Sequence, residues 1–330
     1  MRRTRERRHV YLTLIILLLV VTVLSLTLGA EKIDFLSALG DIFTGTPSSD
    51  SRILEYARLP RTLAGILAGC ALGTAGAIIQ SVLSNSLASP STIGVNSGAG
   101  LAVAIFAALF PEAVMLLPFA SLIGAFLGAL LVLSIGERTS SSRMGLVLAG
   151  VAVSAIFSAG IDTVLTFVPE ALNGYSDFRI GGLFSFSMKD LFPAAPLILI
   201  AIVIAVILHN ELDILMLGME ESRTLGLPAK TLRIVFLALS AVMAGSAISF
   251  SGLIGFVGLI VPHIMRELVG EESKPLMITS ALGGSVLLLG SDLISRLVFA
   301  PFELPVGIVM ALIGGPFFIY LLRKRGRSHD

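Results

Sequence analysis

The sequence predicts an all-α polytopic membrane protein with about ten transmembrane helices. Hydrophobic residues make up 55% of the 330 positions and charged residues only 14%, against about a quarter in soluble domains. The mean hydropathy is +0.95, and apolar runs of about 20 residues, the length that crosses a bilayer, recur along the chain. The alternating pattern of β-barrels is missing, which leaves helices as the way to satisfy the backbone in lipid.

The predicted membrane-spanning segments begin near residues 10, 62, 92, 114, 144, 191, 232, 252, 275 and 304. The first, Val10 to Gly29, follows a basic stretch and could be mistaken for a secretory signal. It is longer than the hydrophobic region of a signal, about 7 to 15 residues, and Leu28 interrupts the small-residue cleavage pattern before Glu31. We therefore expect this segment to stay in the membrane as an anchor.

Basic residues concentrate at the two ends of the chain, in residues 1–9 and 323–330. Under the positive-inside rule both tails are predicted to be cytoplasmic, which requires an even number of crossings. Counting from the tails, the predicted external parts are residues 30–61, 169–190 and 299–303. The predicted cytoplasmic parts are 84–91, 137–143, 209–231 and 266–274. The formal net charge of +1 gives no reason to expect a nucleic-acid partner.

Three arginines fall on the predicted external side, where the positive-inside rule disfavours them: Arg58, Arg61 and Arg296. One interpretation is that they reach headgroups or pair locally, since Asp292 precedes Arg296 by one helical turn on the same face. The other is a cationic rim that receives acidic side chains of an external protein, because guanidinium groups suit bidentate pairing with carboxylates.

Small residues mark the second segment, where Gly65, Gly69 and Gly73 recur at four-residue spacing. Such a stripe lets two helix backbones approach closely, which favours helix association in lipid. We predict a helix-packing role for these glycines and no cofactor. The single cysteine, Cys70, lies in the same run, and one cysteine excludes an internal disulfide or a multi-cysteine metal site.

Two polar segments interrupt the apolar pattern. Ser, Asn, Pro and Gly accumulate between Gln80 and Gly100, which indicates irregular backbone that either lines a pathway or forms a plain cytoplasmic turn. Residues 209–227 are too polar to cross the membrane, and Gly218 divides them into two short amphipathic stretches. We predict two surface helices there, which either present a rigid knob to a soluble partner or rest on headgroups.

Catalytic motifs are missing from the sequence. There is no G-x-x-x-x-G-K-[ST] loop for ATP hydrolysis, and no H-E-x-x-H or G-x-S-x-G pattern. His263 is a lone membrane histidine without a second His, Cys or Met placed to complete a metal or haem site. Asp162 and Asp292 are the convincing intramembrane carboxylates, and ion-coupled transporters use such groups.

Five sequence blocks, in this order, carry a resemblance to a known family: ARLPRTLAGILAG, NSLASPSTIGVNSGA, LGMEESRTLG, GLIGFVGLIVPHIMR and ELPVGIVMALIGGPFF. They resemble permease subunits of type II ATP-binding-cassette (ABC) importers, which carry iron-siderophore complexes, haem or cobalamin. The resemblance extends over nearly the whole chain. The sequence departs from the family pattern in two places: Ser86 stands where a proline is usual, and the tryptophan usual near FRIGGLFSFS is absent.

The resemblance implies a single permease domain over residues 1–330 with type II ABC importer architecture. It implies a homodimer or heterodimer of permeases in the inner (cytoplasmic) membrane of a bacterial cell, with two cytoplasmic ATPases and an external substrate-binding protein. ATP and Mg²⁺ would be bound by the ATPases, so the chain is predicted to be no enzyme and to hold no cofactor or metal. The predicted function is ATP-driven import of an iron chelate, with a ferric siderophore favoured over haem or cobalamin.

The resemblance also assigns roles to residues. The three external arginines would dock acidic knobs of the binding protein. The turn TSSSR at 139–143 would form a cytoplasmic gate with Ser141 and Ser142. The residues that couple the permease to the ATPase would be Gly218, Glu220, Glu221, Arg223, Leu225 and Gly226.

Two rival functions stay open at this point. One is an ion-coupled secondary transporter with Asp162 as its proton site. The other is a membrane enzyme or haem-handling scaffold centred on His263.

Overall fold

The structure is a computed structural model that describes residues 2–29, 31–46, 48–139, 143–183, 188–298, 300 and 302–326. Within these residues the regular structure is helical, as the sequence predicts. The α-helices are α1 (Arg2–Thr27), α2 (Phe35–Thr44), α3 (Ser49–Ile53), α4 (Leu59–Leu83), α5 (Val95–Leu109), α6 (Leu117–Thr139), α7 (Arg143–Phe167), α8 (Ala171–Ile180), α9 (Met188–Ile207), α10 (His209–Leu217), α11 (Met219–Thr224), α12 (Ala229–Ser251), α13 (Val257–Val269), α14 (Ser273–Leu297) and α15 (Val306–Gly326).

Among the described residues, six stretches of helix are long and apolar enough to cross a membrane, or seven if the pair α9 and α10, bent by 62°, is one span. One of them is the 35-residue helix Ser49–Leu83, in which α3 continues through a π-helical turn, Leu54–Arg58, into α4. The other predicted spans correspond to shorter helices, since α5 has 15 residues and α13 has 13. The chain is a multi-pass membrane protein, and the count of ten crossings stays a prediction.

The centre of the helical body is α4, whose glycines let α14 lie directly against its backbone. A Cβ atom on Gly69 would collide with the carbonyl oxygen of Gly284, and one on Gly73 with that of Ser280, both on α14. A Cβ atom on Gly65 would lie 3.0 Å from the side chain of Leu289, which is also on α14. Over this stretch, residues without side chains allow the two backbones to touch.

Between α4 and α5 the chain leaves helical geometry, as the sequence predicts for its polar segment. Ser84 ends α4 in the left-handed region with φ at 44°, and a 3₁₀ turn, Pro90–Ile93, precedes α5. Ala88 and Ile93 are fully buried, so part of this segment is folded into the protein. Burial in protein is what allows irregular backbone at membrane depth.

A second break, at residues 252–256, separates α12 from α13. Leu253 N donates to Phe178 O at 2.8 Å, and Gly182 N donates to Ser251 O at 2.9 Å. The backbone that follows each of α8 and α12 therefore donates to the last turn of the other helix. Such pairing replaces the helical hydrogen bonds that both segments lack, in surroundings where lipid offers no partner.

The described chain begins and ends at the same end of the helical body. Arg7 Nε, near the start of α1, donates to Val269 O at the end of α13 at 3.0 Å. The last helix, α15, runs towards this end, where the rings of Phe317 and His263 are 6.1 Å apart. We call this end the terminal face. The opposite end, where α1 stops and the 35-residue helix enters the body, is the arginine face.

Candidate functional site

Two arginines share one buried carboxylate at the arginine face. Asp292 on α14 is fully buried. Arg61 on α4 donates from Nε to both of its oxygens, at 3.0 and 3.1 Å, and from Nη2 to Oδ1 at 2.9 Å. Arg296, one turn further along α14, places Nε 3.1 Å from Oδ2. The two guanidinium groups compensate a negative charge whose burial would otherwise be costly.

Arg296 also joins α1 to this group of residues. Its Nη2 donates to Ser25 Oγ at 2.8 Å, and its Nη1 lies 3.3 Å from the carbonyl oxygens of Ser25 and Leu28. Ser25 Oγ is 2.8 Å from Thr62 Oγ1 on α4. The last carbonyl groups of a helix have no partner within it, and a cation is favourable there. Arg296 therefore caps the end of α1 and holds α1, α4 and α14 together.

Arg58 binds carbonyl groups in place of a carboxylate. It is 5% exposed, and its guanidinium group donates to Leu26 O at 2.9 Å and to Glu31 O. Within the described part of the chain, the ion pairs at this face involve the other two arginines and do not include Arg58. Its positive charge is therefore left without a direct counter-ion there.

Glu303, just before α15, supplies a second carboxylate. It accepts a hydrogen bond from Arg61 Nη1 at 2.6 Å, and its side chain is 31% exposed, whereas that of Asp292 is 0% exposed. A cavity of about 320 Å³ lies beside these groups and is lined by Tyr56 and all three arginines. The arginine cluster, meaning Arg58, Arg61, Arg296, Asp292 and Glu303, holds three positive and two negative charges. Glu31 lines the same cavity, so its carboxylate offsets the remaining positive charge.

The arginine cluster differs from an open cationic rim, because its guanidinium groups are turned into the protein. Local pairing, the other interpretation of the sequence, describes Arg296 and Asp292 correctly. Sequence reasoning missed Ser25 and Glu303. The available signal for Glu303 was an acidic residue at the predicted outer end of the last span, within the block ELPVG. The docking role of the arginines stays a prediction.

The segment between α9 and α12 folds as two short helices, α10 and α11, as the sequence predicts. Gly218 separates them with φ at 138°, and a Cβ atom there would collide with the carboxylate of Glu221. Ser222 Oγ donates to Ile214 O at 2.9 Å and ties the second helix to the first. Gly226, with φ at 83°, ends the segment. Positive φ at these two positions favours glycine.

One side of this segment is attached to the body, and the other is exposed. Leu212 and Leu215 are buried, and Asp213 accepts a hydrogen bond from Ser273 N at 2.8 Å, which fixes α10 to the start of α14 at the terminal face. Leu225 is 61% exposed. The other exposed side chains include Glu220, Glu221 and Arg223. The segment is a fixed amphipathic knob, and the predicted coupling residues are on its outer side.

The predicted gate residues, Ser141 and Ser142, lie outside the described residues. Directly before them, Glu137 of α6 forms an ion pair with Arg233 of α12, whose side chain is 1% exposed. The ends of α6 and α12 are therefore joined beside the turn to which the gate was assigned.

The residues on which the two rival functions depend, Asp162 and His263, are not part of an assembled site among the described residues. Asp162 is exposed on the surface of α7. His263 lies edge-on to Phe317, and its Nε2 is 3.9 Å from a carboxylate oxygen of Glu267. In the part of the chain that the structure describes, no group of three or more His, Cys, Asp or Glu is placed to hold a metal ion.

Comparison with known proteins decides the family of this helical body. The sequence model of the FecCD transport family matches residues 17–324. The chain belongs to the FecCD transport family. This assignment confirms the predicted resemblance to iron-chelate permeases of ABC importers.

Relatives of this FecCD-family chain include the Fe(3+)-citrate import system permease protein YfmE of Bacillus subtilis, which is 37% identical over 329 residues and 98% of both chains. The hemin transport system permease protein HmuU of Yersinia pestis is 34% identical over 319 residues, with 94% of each chain covered. A solved structure of an inward-facing ABC transporter, assigned to the metal-chelate type, has a TM-score of 0.84 and 27% identity over 96% of this chain and 99% of that one. The predicted all-helical permease fold is thereby confirmed.

Proposed function

We propose that the chain is the permease subunit of an ATP-driven importer of iron chelates. The observation that carries this proposal is the FecCD family match over residues 17–324. The chain itself hydrolyses nothing, and ATP and Mg²⁺ are bound by two cytoplasmic ABC ATPases. The permease contributes two conformations, and each partner shifts their balance by binding one conformation more tightly than the other.

The terminal face is proposed to be cytoplasmic and the arginine face external, in the inner membrane of a bacterial cell. The basic residues at 1–9 and 323–330 favour this orientation under the positive-inside rule. The knob formed by α10 and α11 then lies inside, where ATP is available. The arginine cluster lies outside, where a substrate-binding protein can reach it.

The knob is proposed to be the contact through which the ATPases move the permease. Its two helices are tied together and to α14, through Ser222 and Asp213, so a push on the knob reaches the transmembrane helices with little local bending. Leu225, at the end of the knob, is 61% exposed. An exposed large apolar side chain of this kind is explained if a partner protein covers it. The charged residues around it would set the register of that contact.

The arginine cluster is proposed to dock an acidic side chain of the external binding protein. Asp292 holds Arg61 in place from inside the protein, whereas Glu303 binds the same guanidinium group from a partly exposed position. A carboxylate of the partner can therefore replace Glu303 without disturbing the buried ion pair. The guanidinium group of Arg61 suits such an exchange, because it binds carboxylates through two parallel hydrogen bonds.

A second permease subunit, identical or related, is proposed to cover the exposed face of α7. That face carries Asp162, Thr163 and Thr166 in addition to apolar residues such as Leu148 and Val151. A carboxylate is costly against lipid, so such a face is expected towards protein or a water-filled pathway. The exposed residues described for α6 are also largely apolar, but they include no carboxylate.

The cargo is proposed to be iron held by an organic chelator. The relatives are named for ferric citrate and hemin transport, so the chelators handled within the family differ. A ferric siderophore is our leading expectation for this chain.

The test is transport in proteoliposomes that contain the permease and its partner ATPase. A substrate-binding protein is added outside with radioactive iron, as ferric citrate, a ferric hydroxamate or hemin. We expect iron to accumulate inside only when ATP is hydrolysed, with an ATPase lacking its catalytic glutamate as the control. Uptake that needs a proton gradient, ignores ATP and is lost in Asp162→Asn would instead identify a secondary transporter.

A further inference from the structure

A cleft between α6 and α12 at the terminal face combines apolar walls with a charged mouth. Its volume is about 370 Å³. Leu130 and Ile234 line its wall, and Glu137, Arg138 and Lys230 line its mouth. The family comparison gives this cleft no role, and it lies at the other end of the molecule from the arginine cluster.

The mouth of the cleft carries more positive than negative charge. The single carboxylate of Glu137 is shared, since one oxygen pairs with buried Arg233 and the other lies 3.2 Å from Lys230 Nζ. The Lys230 side chain is 54% exposed, and an ion pair this exposed is weak. Arg138 is exposed as well, and in the described part of the chain it forms no ion pair. Among the described residues that line the cleft, two cations, Arg138 and Lys230, thus face one carboxylate that also binds Arg233.

The cleft opens beside a helix surface that suits lipid. The exposed side chains of α6 form one stripe of large apolar residues, such as Ile123 and Leu127, at 59% and 58% exposure. This stripe ends at Arg138, in the last turn of the helix. The exposed face of α7 also has large apolar residues, such as Leu148 and Val151, but it includes the carboxylate of Asp162. The stripe of α6 is therefore the surface expected against hydrocarbon, with its cation at the level of the headgroups.

We propose that this cleft binds one anionic phospholipid. Its phosphate would lie between Arg138 and Lys230, and one acyl chain would extend past Leu130 and Ile234. The occupant is assigned by charge complementarity and by continuity with the apolar stripe, because basic clefts between transmembrane helices bind acidic headgroups. This site does not depend on the proposed importer function.

The position of the cleft gives such a lipid a mechanical consequence. Lys230 is in the first turn of α12, directly after the knob formed by α10 and α11. A phosphate that contacts both Lys230 and Arg138 would bridge α12 and α6, in parallel with the buried pair of Glu137 and Arg233. The lipid would thus brace the helix ends that receive motion from the knob.

The absence of tryptophan from the chain makes a direct test available. A single reporter is introduced as Leu127→Trp, one turn from the cleft on the same exposed stripe, in the full-length protein reconstituted in vesicles. Quenching by dibrominated phosphatidylglycerol is compared with quenching by dibrominated phosphatidylcholine at equal mole fractions. The matched control reporter is Leu19→Trp, which is 61% exposed on α1 and is on a helix that does not line this cleft.

We expect phosphatidylglycerol to be preferred at the Leu127→Trp reporter and not at the control. Each basic residue near a membrane surface adds about fivefold to the affinity for anionic lipid. Arg138→Gln and Lys230→Gln should therefore each reduce the preference about fivefold, the double variant should abolish it, and Lys230→Arg should retain it. Thermal melts of the variants verify that the fold is intact.

Three results would overturn the proposal. The first is an equal preference at the two reporters, and the second is a preference that survives in the double variant. The third is full displacement of phosphatidylglycerol by inorganic phosphate at millimolar concentration, which would identify a site for free anions and not for lipid.

Discussion

Replacing Asp292 by asparagine would remove the fully buried carboxylate of the arginine cluster while preserving the size of the side chain. Arg61 donates three hydrogen bonds to Asp292 at 2.9 to 3.1 Å, and Arg296 adds an ion pair at 3.1 Å. Removing one partner of a buried ion pair costs about 3–5 kcal/mol. Because asparagine still offers one acceptor and Glu303 still neutralises part of the charge, we expect about 3 kcal/mol for Asp292→Asn. That loss is about a hundredfold in the unfolding equilibrium.

The measurement is reversible unfolding of the purified permease in mixed detergent and SDS micelles, with helicity followed by circular dichroism. Glu303→Gln is the matched control, because Glu303 binds the same guanidinium group but is 31% exposed. An exposed ion pair contributes less than about 1 kcal/mol, so this variant should unfold almost as the wild type does.

A double-mutant cycle separates the ion pair from other effects of the substitution. Arg61→Gln combined with Asp292→Asn should cost less than the sum of the two single changes, since each single change leaves a buried charge undercompensated. Additive costs, or a loss below about 1 kcal/mol for Asp292→Asn alone, would show that Asp292 is not the buried counter-ion of the cluster.

Three further outcomes follow from the contacts described. Glu303→Gln should tighten binding-protein docking by up to about fivefold in a biolayer assay. This gain should vanish when Arg61 is also replaced by Gln. A gain that persists would mean that the variant acts through the overall charge of the surface and not through Arg61. Gly69→Ala should destabilise the protein by about 1–3 kcal/mol or more, because its Cβ atom collides with α14, whereas Gly290→Ala has open space and should be neutral in the same melt. Gly218→Ala should reduce ATP-driven uptake while docking at the arginine face is unchanged, and normal uptake would refute a rigid knob.

Much of the fold could be predicted because a membrane helix is marked by a local signal, a long apolar run in the sequence. The long apolar runs predicted α1, α6, α7, α12 and α14 by length alone. Gly218 between two amphipathic stretches predicted the division into α10 and α11, since that signal is also local. The polar residues after Gln80 predicted that the backbone would leave helical geometry before α5.

The arginine cluster could not be predicted from one sequence because its contacts are long-range. Arg61 and Asp292 are separated by 231 positions, and Arg296 and Ser25 by 271. The residues next to an arginine in the sequence do not determine which distant carboxylate it pairs with, so the sequence left both local pairing and an outward cationic rim open. The segment at 252–256 shows the same limit, because Leu253 donates its backbone hydrogen bond to Phe178 in the last turn of α8.

The central claim is that the arginine cluster and the knob are on opposite sides of the membrane, with the knob in the cytoplasm. Single cysteines are introduced as Tyr56→Cys, at a position 71% exposed at the arginine face, and as Glu220→Cys on the knob, both in a Cys70→Ala background. A membrane-impermeant maleimide should label the first in intact spheroplasts and the second only after permeabilisation. Labelling of Glu220→Cys in intact spheroplasts would contradict the claim.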